Sequence, residues 1–350
     1  MTALAEPAPA SDYEDVRVCD GPRSGLTMAI AVHRTVAGRS LGGLRFEPYR
    51  SADDAVADVK RLARAMTFKA AVAKLPLGGA KGVIAYDPDS PPDPYHRQLA
   101  LHDFAELVES FDGRYITAQD AGTSIDDIAS VGQFTSHIAG HPRSEGGSGD
   151  PAPYTAHGVE VAIRASLRIS LNGRRVVIVG LGHVGSELAR RLHAAGARVA
   201  VADIDRCKQD FARTLGAEWL EPCEAMMAEG DVLAPCALGG ALDPSTIARL
   251  RVPVVAGAAN NQLSSDAAAD LLRERGIVWA PDFVVNAGGL IAVSDELNGF
   301  DGARVERRIE AIGDTLNDIY ARAAASGSNT LTAAQELAVE RSGGLNGNRT

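Results

Sequence analysis

The chain has 350 residues, 45% hydrophobic and 23% charged, which is enough for two domains with substantial cores in an ordinary globular composition. Its net charge of −10 speaks against electrostatic capture of nucleic acid or of an anionic membrane. No apolar run reaches the length of a membrane span, and the Ala/Pro-rich start lacks a basic segment followed by an apolar core, so no signal peptide is expected and a cytoplasmic location fits.

Residues 1–11 are expected to be disordered. From Ser11 to Val36 the pattern predicts two strands joined by a Gly21-Pro22 turn, with TMAIAVHRTV strongly strand-like. A loop is expected at AGRSLGGLRFEPY, followed by a helix from Ser51 to Lys69 with Asp53, Asp54 and Asp58 in its early turns. The next stretch, MTFKAAVAKLPLGGAKGV, carries Lys69, Lys74 and Lys81 around an apolar run and a Gly-Gly pair. A lysine is a strongly hydrated point charge, so a chain seldom takes one into apolar, glycine-rich surroundings without a use for it. Gly78-Gly79-Ala80 reads as a loop that a small substrate can approach closely, leading into a strand at Gly82–Tyr86. After the proline-rich turn DPDSPPDPY come a helix at Arg97–Phe111, a strand at Arg114–Ala118 and a loop, Gln119 to Thr123, at its C-terminal end. That edge is where open α/β sheets bind ligands. Gly140–Pro153 has no periodicity and reads as a hinge.

Beyond the hinge a helix is expected at Tyr154–Ser170. RVVIVGLGHVG then runs from a buried parallel strand into Gly180-x-Gly182-x-x-Gly185 and a helix at Ser186–Ala195, followed by the strand ARVAVADID with Asp203 at its end. A lone G-x-G-x-x-G is weak evidence; strand, helix, second strand and terminal acid in register point firmly to a dinucleotide. The glycines give a tight turn and a close approach to a pyrophosphate on the helix N-terminus. Asp203 can accept from both ribose hydroxyls and would repel a 2′-phosphate, so NAD is favoured over NADP. Three later segments run apolar and end in small or amide residues, which would line the cofactor crevice. Helices are expected at Ser264–Arg275, Arg304–Ala325 and Thr332–Glu340, and disorder over 343–350.

The four cysteines form no C-x-x-C pair, which fits a reduced chain without a disulfide framework. His137 and His141 lie one helical turn apart but lack the glutamate of a zinc motif, so no metal site is expected. The fold class expected is α/β in two domains. An N-terminal substrate-binding and oligomerisation domain with a mixed sheet spans 12–150, rejoined by C-terminal helices at about 315–342. A Rossmann-type doubly wound parallel sheet spans 151–314, with a cleft between the domains.

LGGLRFEPYRS, MTFKAAVAKLPLGGAKGVI, YITAQDAGTS, GDPAPYTAHGV, VVIVGLGHVGS, VAGAANNQL and PDFVVNAGGL together resemble the motifs of the amino-acid dehydrogenases, the family of glutamate, leucine, valine and phenylalanine dehydrogenases. The resemblance runs from about Ser40 to about Thr315. It implies reversible oxidative deamination of an L-amino acid to a 2-oxo acid and ammonia with NAD, and a homo-oligomer, with the N-terminal strands as the expected contact surface. By residue match, Lys69 resembles the lysine that binds the substrate α-carboxylate, Lys81 the catalytic lysine, and Asp120 the acid that handles the amine proton. The chemistry asks for the same groups: a cation for the carboxylate, a base to activate water, and a carboxylate near the nitrogen. Lys81 can be that base only if burial or a positive neighbour, for which Lys69 is the candidate, lowers its pKa.

The expected cofactor contacts are Gly180, Gly182, His183, Val184 and Gly185 in the turn, Asp203 and Ile204 after the second strand, and Cys236, Ala237 and Ala258 at strand ends. His183 is expected to contribute backbone only. Thr155 contacts the nicotinamide amide or caps its helix. Asn260 and Asn261 face the nicotinamide ribose and the substrate, or are turn residues. Asn286, opening the AGGL turn, reaches the cofactor or the amide. Arg45 reaches across the cleft or is a solvated surface arginine. The residue before Gly42-Gly43 resembles a lysine in the glutamate enzymes; here it is Leu41, and leaving a substrate carboxylate unpaired beside it costs several kcal/mol. The inferred substrate pocket is Leu41, Gly42, Gly43, Ala118, Asn261, Leu290 and Val293. It is closest to leucine and valine dehydrogenases, with phenylalanine as the runner-up substrate. Another NAD enzyme, such as a hydroxy-acid dehydrogenase, would need a His–Asp or His–Glu pair, for which His157 is the candidate. Two domains around a hinge should close to exclude water.

Overall fold

The computed structural model describes residues 12–237 and 239–342; the two segments expected to be disordered lie outside the described residues. The chain divides into two compact units, one of residues 12–70 and 76–141, the other of 71–75 and 142 onward.

In the first unit, strands β1 (Asp15–Asp20), β2 (Thr27–Val32), β3 (Ser40–Pro48), β4 (Gly78–Tyr86) and β5 (Tyr115–Gln119) make a mixed sheet in the order β1-β2-β4-β3-β5. β1 and β2 form the expected hairpin, antiparallel from Asp15 opposite Val32 to Asp20 opposite Thr27. Its turn is fastened by Asp103, whose buried carboxylate accepts the Arg23 and Ser24 amides. β3 runs parallel to both β4 and β5, and β4 is antiparallel to β2. Successive residues of β2 serve opposite faces. Met28, Ile30 and Val32 join Phe104, Phe111 and Tyr115, whereas Ala29 and Ala31 join Val59, Ala63 and Val83. Helix α1 (Ala52–Val72) covers the second of these faces. Helices α2 (Pro94–Glu109) and α3 (Ile125–Val131) contribute to the first.

Three readings of this unit are corrected. Leu41-Gly42-Gly43-Leu44-Arg45 and Gly78-Gly79-Ala80 are strand, not loop. The glycines are there because backbone crowds them: a Cβ on Gly42 would strike the Ala80 carbonyl, and one on Gly79 the Thr67 amide of α1. The helix expected at Arg97 starts at Pro94. Asp93 caps it by accepting the His96 amide, and Pro94 occupies the first turn, where no donor is lost.

In the second unit, β6 (Arg175–Val179), β7 (Arg198–Ala202), β8 (Glu218–Trp219), β9 (Val232–Pro235), β10 (Val254–Val255) and β11 (Val278–Trp279) form a parallel sheet in the order β8-β7-β6-β9-β10-β11. That is the doubly wound dinucleotide order. In chain order its helices are α4 (Ala152–Leu167), α5 (His183–Ala194), α6 (Gln209–Leu215), α7 (Pro222–Ala225), α8 (Pro244–Arg249), α9 (Ala267–Glu274), α10 (Asp282–Val285), α11 (Gly288–Asp295), α12 (Gly302–Ser326) and α13 (Thr330–Arg341). Helix α5 begins at His183, three residues ahead of expectation, with Gly182 as its N-cap. The AGGL segment opens helix α11, not a turn. Helices α12 and α13 cluster with this unit, where the sequence analysis returned them to the first domain. They meet the end of α1: the Val72 carbonyl accepts from Arg341 at 2.8 Å and from Thr315 at 3.4 Å. No described helix is long and apolar enough to cross a membrane.

Candidate active site

In the first unit three side chains meet at one carboxylate oxygen. Lys81 projects from β4, is only 4% exposed, and places Nζ 2.8 Å from Asp120 Oδ2. Arg45, on β3, donates from Nε to the same oxygen at 3.2 Å. Its Nη1 bonds Asp58 Oδ2 on α1 at 3.0 Å. Asp58 is held in turn by the Tyr49 hydroxyl at 2.8 Å and by Arg61 at 2.5 Å. Arg45 is thus held between two carboxylates, with its side chain 24% exposed. The wider network, Tyr49, Asp58 and Arg45, was missed in the sequence. Asp58 read there only as a helix-start acid.

Burial disfavours the Lys81 ammonium and Arg45 adds positive charge, and together they outweigh the pull of Asp120 and Asp58, so the Lys81 pKa falls below the ordinary lysine range. Arg45 thus supplies a positive neighbour where the sequence analysis looked to Lys69. Burial pushes the Asp120 carboxyl up, but Lys81 and Arg45 more than offset it, and Asp120 is held below the usual carboxylate value. Lys69 is half-buried in the last turn of α1, two residues past Thr67, whose amide abuts Gly79.

The loop carrying Asp120 is fastened along its length. The Asp120 amide donates to Thr123 Oγ1, and that hydroxyl lies 3.0 Å from the Leu44 carbonyl. The Phe46 amide donates to the Ala121 carbonyl, and Arg97 to that of Gly122 at 2.6 Å. Gly43 pairs with Ala118, and a Cβ on Gly43 would come 2.8 Å from Asp120 Cβ. Leu41 pairs with Gly79 and Ile116 and is 2% exposed.

In the second unit, Gly180 has φ +104°, open only to glycine without strain, and a Cβ on Gly185 would strike its carbonyl. Gly182 differs: a Cβ there would meet nothing within 4 Å. The turn leaves open space over Gly182 at the N-terminus of α5, a cradle suited to a pyrophosphate. Asp203 Oδ2 accepts the Leu181 amide at 2.6 Å. Ile204, the next residue, is 90% exposed. Cys236 and Ala237 pack on Gly180 and Gly185, and burial pushes the Cys236 thiol up to about 11.

Asn286 donates to Asn260 Oδ1 at 2.7 Å and to the Ala258 carbonyl at 3.1 Å, which brings three expected cofactor residues together. The buried Oδ1 of Asn286 has no hydrogen-bond partner among the described residues. Asn261 is exposed at φ +52° and accepts the Gly240 amide at 2.7 Å. Gln262, fully buried and not singled out from sequence, pins this loop through the Gly257 and Ala259 carbonyls and the Asp282 carboxylate. Thr155 does not cap α4: Pro151 is the N-cap, and the Thr155 hydroxyl donates back to the Pro151 carbonyl at 3.1 Å. A Cβ on Gly289 would meet that hydroxyl, so the starts of α4 and α11 touch. Leu290 and Val293 are half-buried one helical turn apart on α11. His157 does have an acid partner, Glu310 at 2.9 Å, but that pair lies on α4 and α12 and shares its carboxylate with Arg164.

Known proteins bear on this arrangement. Residues 14–137 match the profile of the Glu/Leu/Phe/Val dehydrogenase dimerisation domain, and 202–345 that of Glutamate/Leucine/Phenylalanine/Valine dehydrogenase. Residues 157–239 also match the NAD binding domain of D-isomer specific 2-hydroxyacid dehydrogenases. Leucine dehydrogenase of Bacillus cereus is 40% identical over 345 residues, covering 97% of this chain and 93% of that protein. Phenylalanine dehydrogenase of Caldalkalibacillus thermarum is 39% identical over 346 residues, covering 95% and 91%. The crystal structure of L-tryptophan dehydrogenase from Nostoc punctiforme superposes with a TM-score of 0.82 at 36% identity, covering 94% of this chain and 95% of that one. A buried lysine paired with a strand-end carboxylate in one unit, an open glycine turn on a parallel sheet in the other, and matches along nearly the whole length lead to one conclusion: the chain belongs to the glutamate/leucine/phenylalanine/valine dehydrogenase family and is an amino-acid dehydrogenase.

Proposed function

We propose that this enzyme catalyses the reversible, NAD-dependent oxidative deamination of an apolar L-amino acid, with leucine, valine or isoleucine favoured and phenylalanine as the runner-up. The carrying observation is the pairing of buried Lys81 with Asp120 beside the backbone of Gly42 and Gly43. Lys69 binds the substrate α-carboxylate. Asp120 handles the proton on the substrate nitrogen. Lys81, neutral at lower pH than an ordinary lysine, takes a proton from the water that adds to the iminium carbon. Proton exchange between the same two groups then lets ammonia leave and the 2-oxo acid form.

NAD, when bound, accepts the hydride from the substrate Cα. Its pyrophosphate fits the open turn at Gly182, His183 and Val184, and its ribose the Asp203 carboxylate. The unpartnered Asn286 oxygen suits a carboxamide N–H donor. Leu41 offers no cation to a side-chain carboxylate; with Ala118 it gives the substrate side chain an apolar seat in the first unit, and Leu290 and Val293 are the apolar candidates in the second. One methylene in such a seat is worth about 1–3 kcal/mol, so a range of apolar substrates is expected. A homo-oligomer joined through the N-terminal strands agrees with β1 standing at the edge of its sheet with Val18 exposed.

The test is NADH absorbance at alkaline pH with NAD and a panel of L-amino acids, tryptophan and glutamate included, beside 2-hydroxy acids. Signal with the branched apolar amino acids is expected. Signal with hydroxy acids alone, or with glutamate above leucine, would sink the reading.

A further inference from the structure

Arg45 ties the reaction pair to a second carboxylate that takes no part in the chemistry. Asp120 Oδ2 is shared between Lys81 at 2.8 Å and Arg45 at 3.2 Å, so the two cations compete for one oxygen. Asp58 holds the other end of the guanidinium and is itself fixed on α1 by Tyr49 and Arg61. We propose that Asp58 and Arg45 are positioning residues for the Lys81–Asp120 pair: Asp58 sets how closely Arg45 engages Asp120, and so how firmly Asp120 can hold the Lys81 ammonium. This rests on the proposed catalytic roles of Lys81 and Asp120 but goes beyond them, because neither Asp58 nor Arg45 exchanges a proton in it.

The charged and titratable groups around Lys81 come from every element packed there. Asp120 beyond β5, Arg45 on β3 and Asp58 on α1 act on Lys81 itself; Tyr49 and Arg61 bond Asp58, and Tyr115 on β5 feels the Asp120 charge. Among them Arg45 and Asp58 act on Lys81 with opposite sign, Arg45 disfavouring its ammonium and Asp58 favouring it. Removing Asp58 deletes a supporting negative charge and frees Arg45 to lean on Asp120, so both effects favour neutral Lys81. Removing Arg45 returns the whole Asp120 oxygen to Lys81 and favours the ammonium. A network that served only to hold the fold together would not give shifts of opposite sign.

The chain contains five lysines, Lys60, Lys69, Lys74, Lys81 and Lys208, so ¹³Cε-lysine labelling of the full-length protein gives five NMR signals, with Lys81→Arg assigning the one of interest. Asp58→Asn is expected to move the Lys81 midpoint down by about one pH unit, and Arg45→Gln to move it up by about as much. In the double variant, Asp58→Asn should add less than it does alone, because the part of its effect that acts through Arg45 is gone. The acid limb of the pH profile of kcat/KM with L-leucine and NAD should move the same way in each variant. Equal shifts in one direction, or none, would overturn the proposal. The other four lysine signals report whether each variant folds. If Asp58→Asn does not, Arg45→Gln decides alone, since only an upward shift is compatible. Wild-type protein inactive on every amino acid would refute the catalytic reading, whereas the NMR midpoints decide the network without turnover.

Discussion

The carboxylate of Asp203 accepts the backbone amide of Leu181 at 2.6 Å, joining the end of β7 to the glycine turn after β6. Its other oxygen accepts the Asp205 amide at 2.8 Å. The residue read in the sequence as a ribose acceptor therefore also shapes the turn. Asp203→Ala is expected to raise the KM for NAD by about 10–100-fold through both losses, and to narrow the preference for NAD over NADP. Steady-state kinetics with both cofactors measures this. An unchanged NAD:NADP ratio would count against the ribose role while leaving the turn role intact.

Lys81→Ala is expected to bind NADH normally and to lose about 10²–10⁴-fold in kcat, the usual span for a general base. NADH fluorescence titration and turnover separate the two. Since Lys81 has a lowered pKa, its neutral form is available below the ordinary lysine range, and activity should fall as pH drops through that lowered value. Turnover unchanged in the variant would refute the assignment.

Gly43→Ala tests geometry without altering charge. The added methyl would sit 2.6 Å from the Gln119 carbonyl and 2.8 Å from Asp120 Cβ, and neither is the end of a flexible side chain. The Asp120 loop must shift. A misplacement near 1 Å costs on the order of 100-fold in rate, so kcat should fall by about that much in protein that still binds NADH. Wild-type kcat would show that the loop gives way harmlessly.

His33 carries a stability prediction. It is 2% exposed, with Nδ1 2.9 Å from Thr67 Oγ1 and its ring edge-on to Tyr13. Burial, then Arg34 and Arg64, lower its pKa to about 4. A folded-state value below the unfolded one, near 6.5, means the unfolded chain takes up the proton first. The contribution is therefore fully present above about 6.5 and lost as pH falls from there toward 4, by up to about 3 kcal/mol. Urea midpoints across that window should fall in the wild type and fall less steeply in His33→Asn. Parallel curves would show that another group titrates there.

Much of this was readable in advance, and the failures have physical causes. Periodicity located α1, and the strand–turn–helix pattern around Gly180 located the parallel sheet, because both signals are local. The two glycine pairs misled: Gly42-Gly43 and Gly78-Gly79 look like loop in one dimension and are central strand because neighbouring backbone leaves no room for a Cβ. Asp93-Pro94 was a legible helix start taken for a turn. Lys81 and Asp120 were found by motif. Asp58 was not, because its partner Arg45 lies thirteen residues away on another element and only the packing of α1 on the sheet joins them. Gln262 escaped for the same reason: its contacts with Asp282 and Trp279 are tertiary.

The loop from Asp120 to Ser124 is bolted to its own sheet at Leu44 and Phe46 and to α2 at Arg97. Leu290 and Val293 sit instead on α11, a short helix in a different compact unit. On the proposed reading, part of the substrate choice is written into a stretch of chain apart from the bond-breaking residues. Libraries that randomise 290 and 293 should then yield altered side-chain preferences with the deamination step intact, an evolvable division of labour for making non-natural amino acids.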